Sequence, residues 1–128
     1  VIGSSTKMKL ETGPDSMVLR KLAELDSFDD RDEKVVNIAL HLGRRPAFAF
    51  GNSDGDLAML RYTLGGPGPR MAWYLHHDDA EREFAYDRDF RPSVFDQGLD
   101  HAAEYGIGLV SMKNDWKRVF AEEDDGRA

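Results

Sequence analysis

Apolar positions along the chain form short continuous runs that alternate with helical stripes. Residues 47–50 are one such run, the pattern of a parallel strand covered on both faces rather than one face wet. Leu57, Leu60 and Leu64 follow at i, i+3 and i+7, which predicts a helix from Gly55 to Leu64 packed on a sheet. Upstream, Val35, Ile38, Ala39 and Leu42 give an apolar face to a helix over 31–42, and Gly43 is placed to end it. Residues 1–4 read as a strand, and residues 8–10 and 17–19 as a hairpin turning through Thr12, Gly13, Pro14 and Asp15.

Further along, 71–75 reads as a strand and 107–112 as another. Between them, Asp78 is placed to cap a helix over 79–86, with Glu81 reaching back. Ser93 and Asp96 repeat that device before a helix carrying Phe95, Leu99 and Ala102, which Gly106 closes. Residues 115–121 read as a last helix and 122–128 as a charged, disordered tail. Trp73 in its strand and Trp116 against the sheet are expected to pack, and His41 and His101 to sit on helix surfaces. The expected fold is therefore α/β, with a largely parallel sheet and a small hairpin.

Chemistry concentrates where the 47–50 run breaks off. Gly51 ends the run, and Asn52, Asp54 and Asp56 offer hard oxygen atoms within a few residues, the ligand type Mg2+ prefers. In an open α/β sheet, ligands bind at the carboxyl ends of strands, where this cluster falls. A plainer reading stands beside it. Ser53 followed three residues later by Asp56 is a variant capping box, with the Ser53 hydroxyl bonding the Asp56 amide. A calcium loop is a third option, but its Gly and Glu positions are held by Leu57 and Thr63.

His76, His77, Asp78, Asp79, Arg82 and Asp87 form a second cluster after the next strand. It would emerge on the same sheet edge, with a histidine near a leaving group or Arg82 on a substrate oxygen. The alternative is a capped, solvated helix start. A zinc site is disfavoured because adjacent residues of a strand point to opposite sides.

The segment GNSDGDLAML resembles the fourth motif of the haloacid dehalogenase superfamily of phosphohydrolases, GDxxxD, with Asn52 in place of the first acid and Asp56 of the second. Lys34, at the start of the preceding helix, stands where that family carries its lysine. VIGSS, GRRP, HHDDAEREFAYDRD and VSMKNDWKRVF extend the resemblance, in order, to the C-terminal half of a bacterial subgroup of these hydrolases. The resemblance implies a Rossmann-like three-layer core over 1–121. It also implies phosphoryl transfer through an aspartyl-phosphate on a small phosphorylated substrate.

On that basis Lys34 and Asp56 are the expected catalytic residues, and Asn52 and Asp56 the expected Mg2+ ligands. Ser53, Asp54, His76, His77 and Arg82 stand on the substrate side. The family's nucleophile, in a DxD motif on an early strand, and its Ser or Thr motif have no counterpart. Asp54-Gly55-Asp56 already belongs to the fourth motif, Asp87-Arg88-Asp89 reads as a solvated loop, and no buried strand precedes Phe28-Asp29-Asp30. The chain is therefore expected to be a fragment that needs its N-terminal half as a partner, and to self-associate through the strand edge left bare. Two other classes remain open: a noncatalytic interaction module and a cation-binding structural domain.

Composition narrows the field. With 128 residues and 41% apolar content the chain can bury one core. A formal charge of −7 and the lack of a basic stripe argue against a nucleic-acid binder. No apolar run reaches the length of a membrane span. GGPGP at residues 65–69 reads as a rigid turn, since its prolines lack the amide donors of a phosphate loop. Zero cysteines exclude disulfides without fixing a compartment, which is cytoplasmic or, with an upstream signal peptide, exported.

Overall fold

A computed structural model describes residues 1–120. The element order is β1 (Ser5–Thr12), β2 (Met17–Ser27), α1 (Asp32–Leu42), β3 (Phe48–Gly51), α2 (Leu57–Leu64), β4 (Met71–His76), α3 (Gln97–His101), β5 (Gly108–Ser111) and α4 (Met112–Asp115). The 3-10 turns Asp54–Asp56 and Arg91–Ser93 precede α2 and α3. Strands β3, β4 and β5 form a parallel sheet in that order, while β1 and β2 form a separate antiparallel ribbon. This is a mixed α/β fold, as the alternation of runs and stripes requires.

The core lies on one face of the parallel sheet. Ala49, Ala72 and Tyr74 meet Leu60 of α2 with Phe95, Ala102 and Ile107, and Leu57 and Leu64 pack at the margin. On the opposite face, Phe48 and Phe50 of β3 remain 55% and 43% exposed, and Met71 beside Phe48 is exposed as well. Coverage of 47–50 on both faces is thus corrected: β3 alternates, because α2 seats only on its Ala49 and Gly51 side. Along α1 the buried residues are Ile38 and Asn37, while Ala39 and Leu42 face out. Asn37 is buried because its amide ties the end of β2 to α1, donating to Asp29 Oδ1 at 2.8 Å and Ser27 Oγ at 2.9 Å. Gly43 ends α1 at φ 66°, in the left-handed region, as its position predicts.

Other expected boundaries also move. The first strand starts at Ser5, and residues 1–4 lie outside it. No helix forms over 79–86. There the Asp79 carboxylate accepts the amides of Glu81 and Arg82, and Tyr86 pairs back onto His77, so the chain closes into turns instead. The last described helix is 112–115 rather than 115–121, and Ala121 and the tail expected at 122–128 lie outside the described residues. Ser111 starts α4 by accepting the Asn114 amide, and the Asp115 carboxylate accepts the Ser111 amide in return. Trp73 lies over Gly108 of the neighbouring strand, where any added Cβ would sit 2.3 Å from its ring. Trp116 is 47% exposed, against the packing expected of it. Among the described residues no helix is long and apolar enough to cross a membrane.

Candidate functional site

The carboxyl ends of β3, β4 and β5 share one edge, because Gly51 pairs with Tyr74 and His76 with Ser111 in parallel register. Both polar clusters of the sequence emerge on this edge, as a parallel sheet requires.

At the end of β3 the backbone turns from Gly51 through Asn52 and Ser53 into the 3-10 turn at Asp54. Asp56 is buried at 6% exposure and folds back over the strand end. Its Oδ2 accepts the Asn52 amide at 2.9 Å and its Oδ1 the Lys34 ammonium at 2.6 Å. Gly51 permits this, since an added Cβ would stand 2.5 Å from the Asp56 Cβ and 2.9 Å from Oδ2. Lys34, 22 residues upstream in α1, is thereby brought to the same point as Asn52 and Asp56.

The capping-box alternative does not form. The Asp56 amide bonds the Ser53 carbonyl at 3.0 Å, and the Ser53 hydroxyl makes no cap bond. An open cleft of about 370 Å³ runs past Lys34, Asn52 and Asp56, walled by Phe50, Met59 and Leu75. A residue that sequence reasoning left out stands behind it. Tyr74 is wholly buried with its hydroxyl unbonded, and burial, then the negative charges of Asp56 and Asp54, raise its pKa far above the usual phenol value.

Asp54 points away from this cleft's donors. Its carboxylate accepts the amides of Asp96 (3.0 Å), Gln97 (3.1 Å) and Gly98 (2.8 Å), capping α3 from outside the helix. Asp54, expected on the substrate side, thus serves as a helix cap in this structure. No local pattern in the sequence joins residues so far apart.

The second cluster is largely consumed within the molecule. Arg82 pairs with Asp79 and donates to the carbonyls of Met112 (2.9 Å), Lys113 (3.0 Å), Trp116 (2.8 Å) and Lys117 (3.2 Å). These bonds fasten α4 and the segment after it, and they engage the guanidinium expected on a substrate oxygen. Asp78 accepts the Ser111 hydroxyl at 2.6 Å and the Lys113 amide at 2.9 Å, so it serves α4 rather than a helix of its own.

The two histidines part company, as their strand positions predict. His76 sets its ring edge-on to Phe95, with Nε2 buried, unbonded and 3.5 Å from Asp87 Oδ2. His77 bonds Glu83 through Nδ1 at 2.8 Å and stacks on Tyr86 at 4.9 Å. Tyr86 in turn brings its hydroxyl to 3.5 Å from the Asn52 carbonyl, joining the two clusters. Burial, then the charges of Asp56 and Glu83, raise the Tyr86 pKa. Asp87-Arg88-Asp89 lies in the connection after β4, as expected of a loop, with Arg88 on Asp96 and Asp100.

For Mg2+ the donor set is a partial fit. Among the described residues no group of three or more His, Asp or Glu side chains converges as a metal site. The oxygens at the β3 end are the Asn52 amide oxygen and the second lone pairs of an Asp56 carboxylate already holding Lys34. Mg2+ keeps several waters and takes few protein oxygens beside phosphate, so these two residues fit as part of a shell. No family model and no curated protein matches the chain.

Proposed function

We propose that this chain supplies the lysine and acidic half of a Mg2+-dependent phosphohydrolase of the haloacid dehalogenase type, with the nucleophile outside its residues. The observation that carries the reading is the 2.6 Å contact of Lys34 with buried Asp56 at the carboxyl end of β3, on an open cleft. It joins the two motif positions of the resemblance in space. The finer fold belongs to the same proposal: a Rossmann-like core in which a further strand pairs with the free edge of β3.

In this reading Asp56 holds the Lys34 ammonium at a fixed place beside Asn52. The ammonium then offsets charge on a phosphoryl group entering the cleft. Asn52 and Asp56 would hold Mg2+, which when bound draws charge from phosphoryl oxygens. Phe50, Met59 and Leu75 form the apolar side of the cleft. The small phosphorylated substrate would lie with its anionic end toward Lys34.

Two experiments test this. The purified 128-residue chain should show no turnover of an aryl phosphate, and Mg2+-dependent hydrolysis by it alone would sink the proposal. Calorimetric titration with Mg2+ should show tighter binding in Asn52→Asp and weaker binding in Asp56→Asn. If both substitutions shift melting temperature and leave metal affinity unchanged, the site is structural.

The second reading, a noncatalytic interaction module, is favoured by the bare β3 face. Phe48, Phe50 and Met71 there are exposed side by side, a surface that recruits partners.

A further inference from the structure

A cavity of about 610 Å³ lies at the amino ends of β3 and β4, the opposite end of the strands from the Asn52 and Asp56 cleft. Arg44, Arg45 and Arg70 line it, over an apolar floor of Leu42, Pro46 and Pro67. The chain is acidic, with 24 Asp and Glu against 17 Lys and Arg, so positive side chains should find carboxylates readily. None of these three does. The ion pairs among the described residues involve other cations.

Two of the guanidinium groups are held in place by neutral groups instead. Arg45 donates to the Tyr62 carbonyl at 2.7 Å and lies 4.1 Å from the Tyr62 ring centre. Arg70 donates through Nε to the Pro67 carbonyl at 2.8 Å and through Nη1 to the Pro46 carbonyl at 2.6 Å. The GGPGP turn makes room for them. A Cβ on Gly66 would stand 2.7 Å from the Arg70 guanidinium carbon, and one on Gly65 3.1 Å from Arg45 Nη1. Arg44 adds a third guanidinium that makes no hydrogen bond or ion pair among the described residues.

We propose that this cavity is a binding site for a small anion carrying phosphate groups, recognised by Arg44, Arg45 and Arg70. Guanidinium N–H groups match phosphate oxygens, and two of the three groups are already held in place, Arg70 keeping its Nη2 donors after Nε and Nη1 are spent on the Pro67, Pro46 and Arg45 carbonyls, so little side-chain freedom is lost on binding. The GGPGP turn thus takes part in anion binding after all, by admitting arginine side chains rather than by offering backbone amides.

The test is calorimetric titration of the full chain with inorganic pyrophosphate in EDTA, which removes any contribution from a metal at the other end of the strands. Binding at one site per chain is expected, tighter than sulfate and weakening as salt rises. Arg44→Gln removes a group with no structural bond, so the fold is kept, and affinity should fall about tenfold. Arg70→Lys keeps the charge but loses the anchored guanidinium and its Nη2 donors, and should weaken binding as well. Lys34→Ala should leave pyrophosphate affinity unchanged, which separates this site from the cleft. No binding, an affinity equal to that for sulfate, or loss in Lys34→Ala but not in Arg44→Gln would each overturn the proposal.

Discussion

Two polar clusters leave the same sheet edge with similar residues and opposite fates. At the end of β4, Asp79 and Arg82 close on each other, and Arg82 spends its remaining donors on four backbone carbonyls. At the end of β3, Asp56 draws Lys34 from α1, and the pair borders an open cleft. The difference lies in what surrounds each charge. Carbonyls at a helix end need donors and take them from Arg82, whereas the neighbours of Lys34 across the cleft are the apolar side chains of Phe50, Met59 and Leu75. Charge type at an edge therefore says less about chemistry than the competition for that charge.

The strongest way to break the closed cluster is Arg82→Ala. It frees the carbonyls after β5 and leaves Asp79 without its cation, and melting temperature should fall by on the order of 10 °C. Arg82→Lys should recover only part, since an ammonium lacks the fork. Circular dichroism melts check both.

On the open side, Lys34→Ala leaves a buried carboxylate with the Asn52 amide alone, at a cost of about 1–3 kcal/mol in denaturant titration. Adding Asp56→Asn should recover part of that loss, because the remaining group is neutral. Additive losses in the double variant would show that the two side chains are not coupled.

Asp54→Ala removes the acceptor for three α3 amides and should cost about 1–2 kcal/mol. Ser53→Ala, at the residue once expected to cap, should stay within about 0.5 kcal/mol. Equal effects would restore the capping box.

The smallest effect is in acid. The Arg82 bond holds the Asp79 pKa below its ordinary value of 3.8, and the Arg88 bond does the same for Asp100. For Asp78, burial pushes up, but the Ser111 hydroxyl and the Lys113 amide outweigh it. A carboxyl with a lowered folded-state pKa stabilises fully above its unfolded value and loses that contribution as pH falls through the folded value. Stability from these groups should be flat from pH 7 to 5 and fall below about pH 4. Asp78→Asn should flatten that acid limb in pH-dependent melts.

The readable parts of the fold were those with local signals. The hairpin turn, the Gly43 stop, the 71–75 strand and the helix after Asp56 each rest on neighbours in sequence, and each forms. The misreadings share another cause. Helix 79–86 has a proper cap, but the β-bridge of Tyr86 to His77 and the bonds of Arg82 to distant carbonyls override it. The capping by Asp54 was not visible in the sequence because its partners, the amides at the start of α3, lie more than forty residues away. The contact of Lys34 with Asp56 was not legible, because nothing in their spacing alone brings them together.

The β1 and β2 ribbon carries a consequence for how the molecule opens. Its residues are almost all exposed, with Met8, Leu10, Met17 and Leu19 sharing one face. It is fastened to the body by hydrogen bonds near its base, through Ser4, Ser27 and Asp29. A two-stranded ribbon gains little stability by itself in water. Its cross-strand amides should therefore exchange with solvent through a local opening that leaves the core of Leu60, Tyr74 and Phe95 closed. The chain then behaves as two cooperative units of unequal lifetime rather than one.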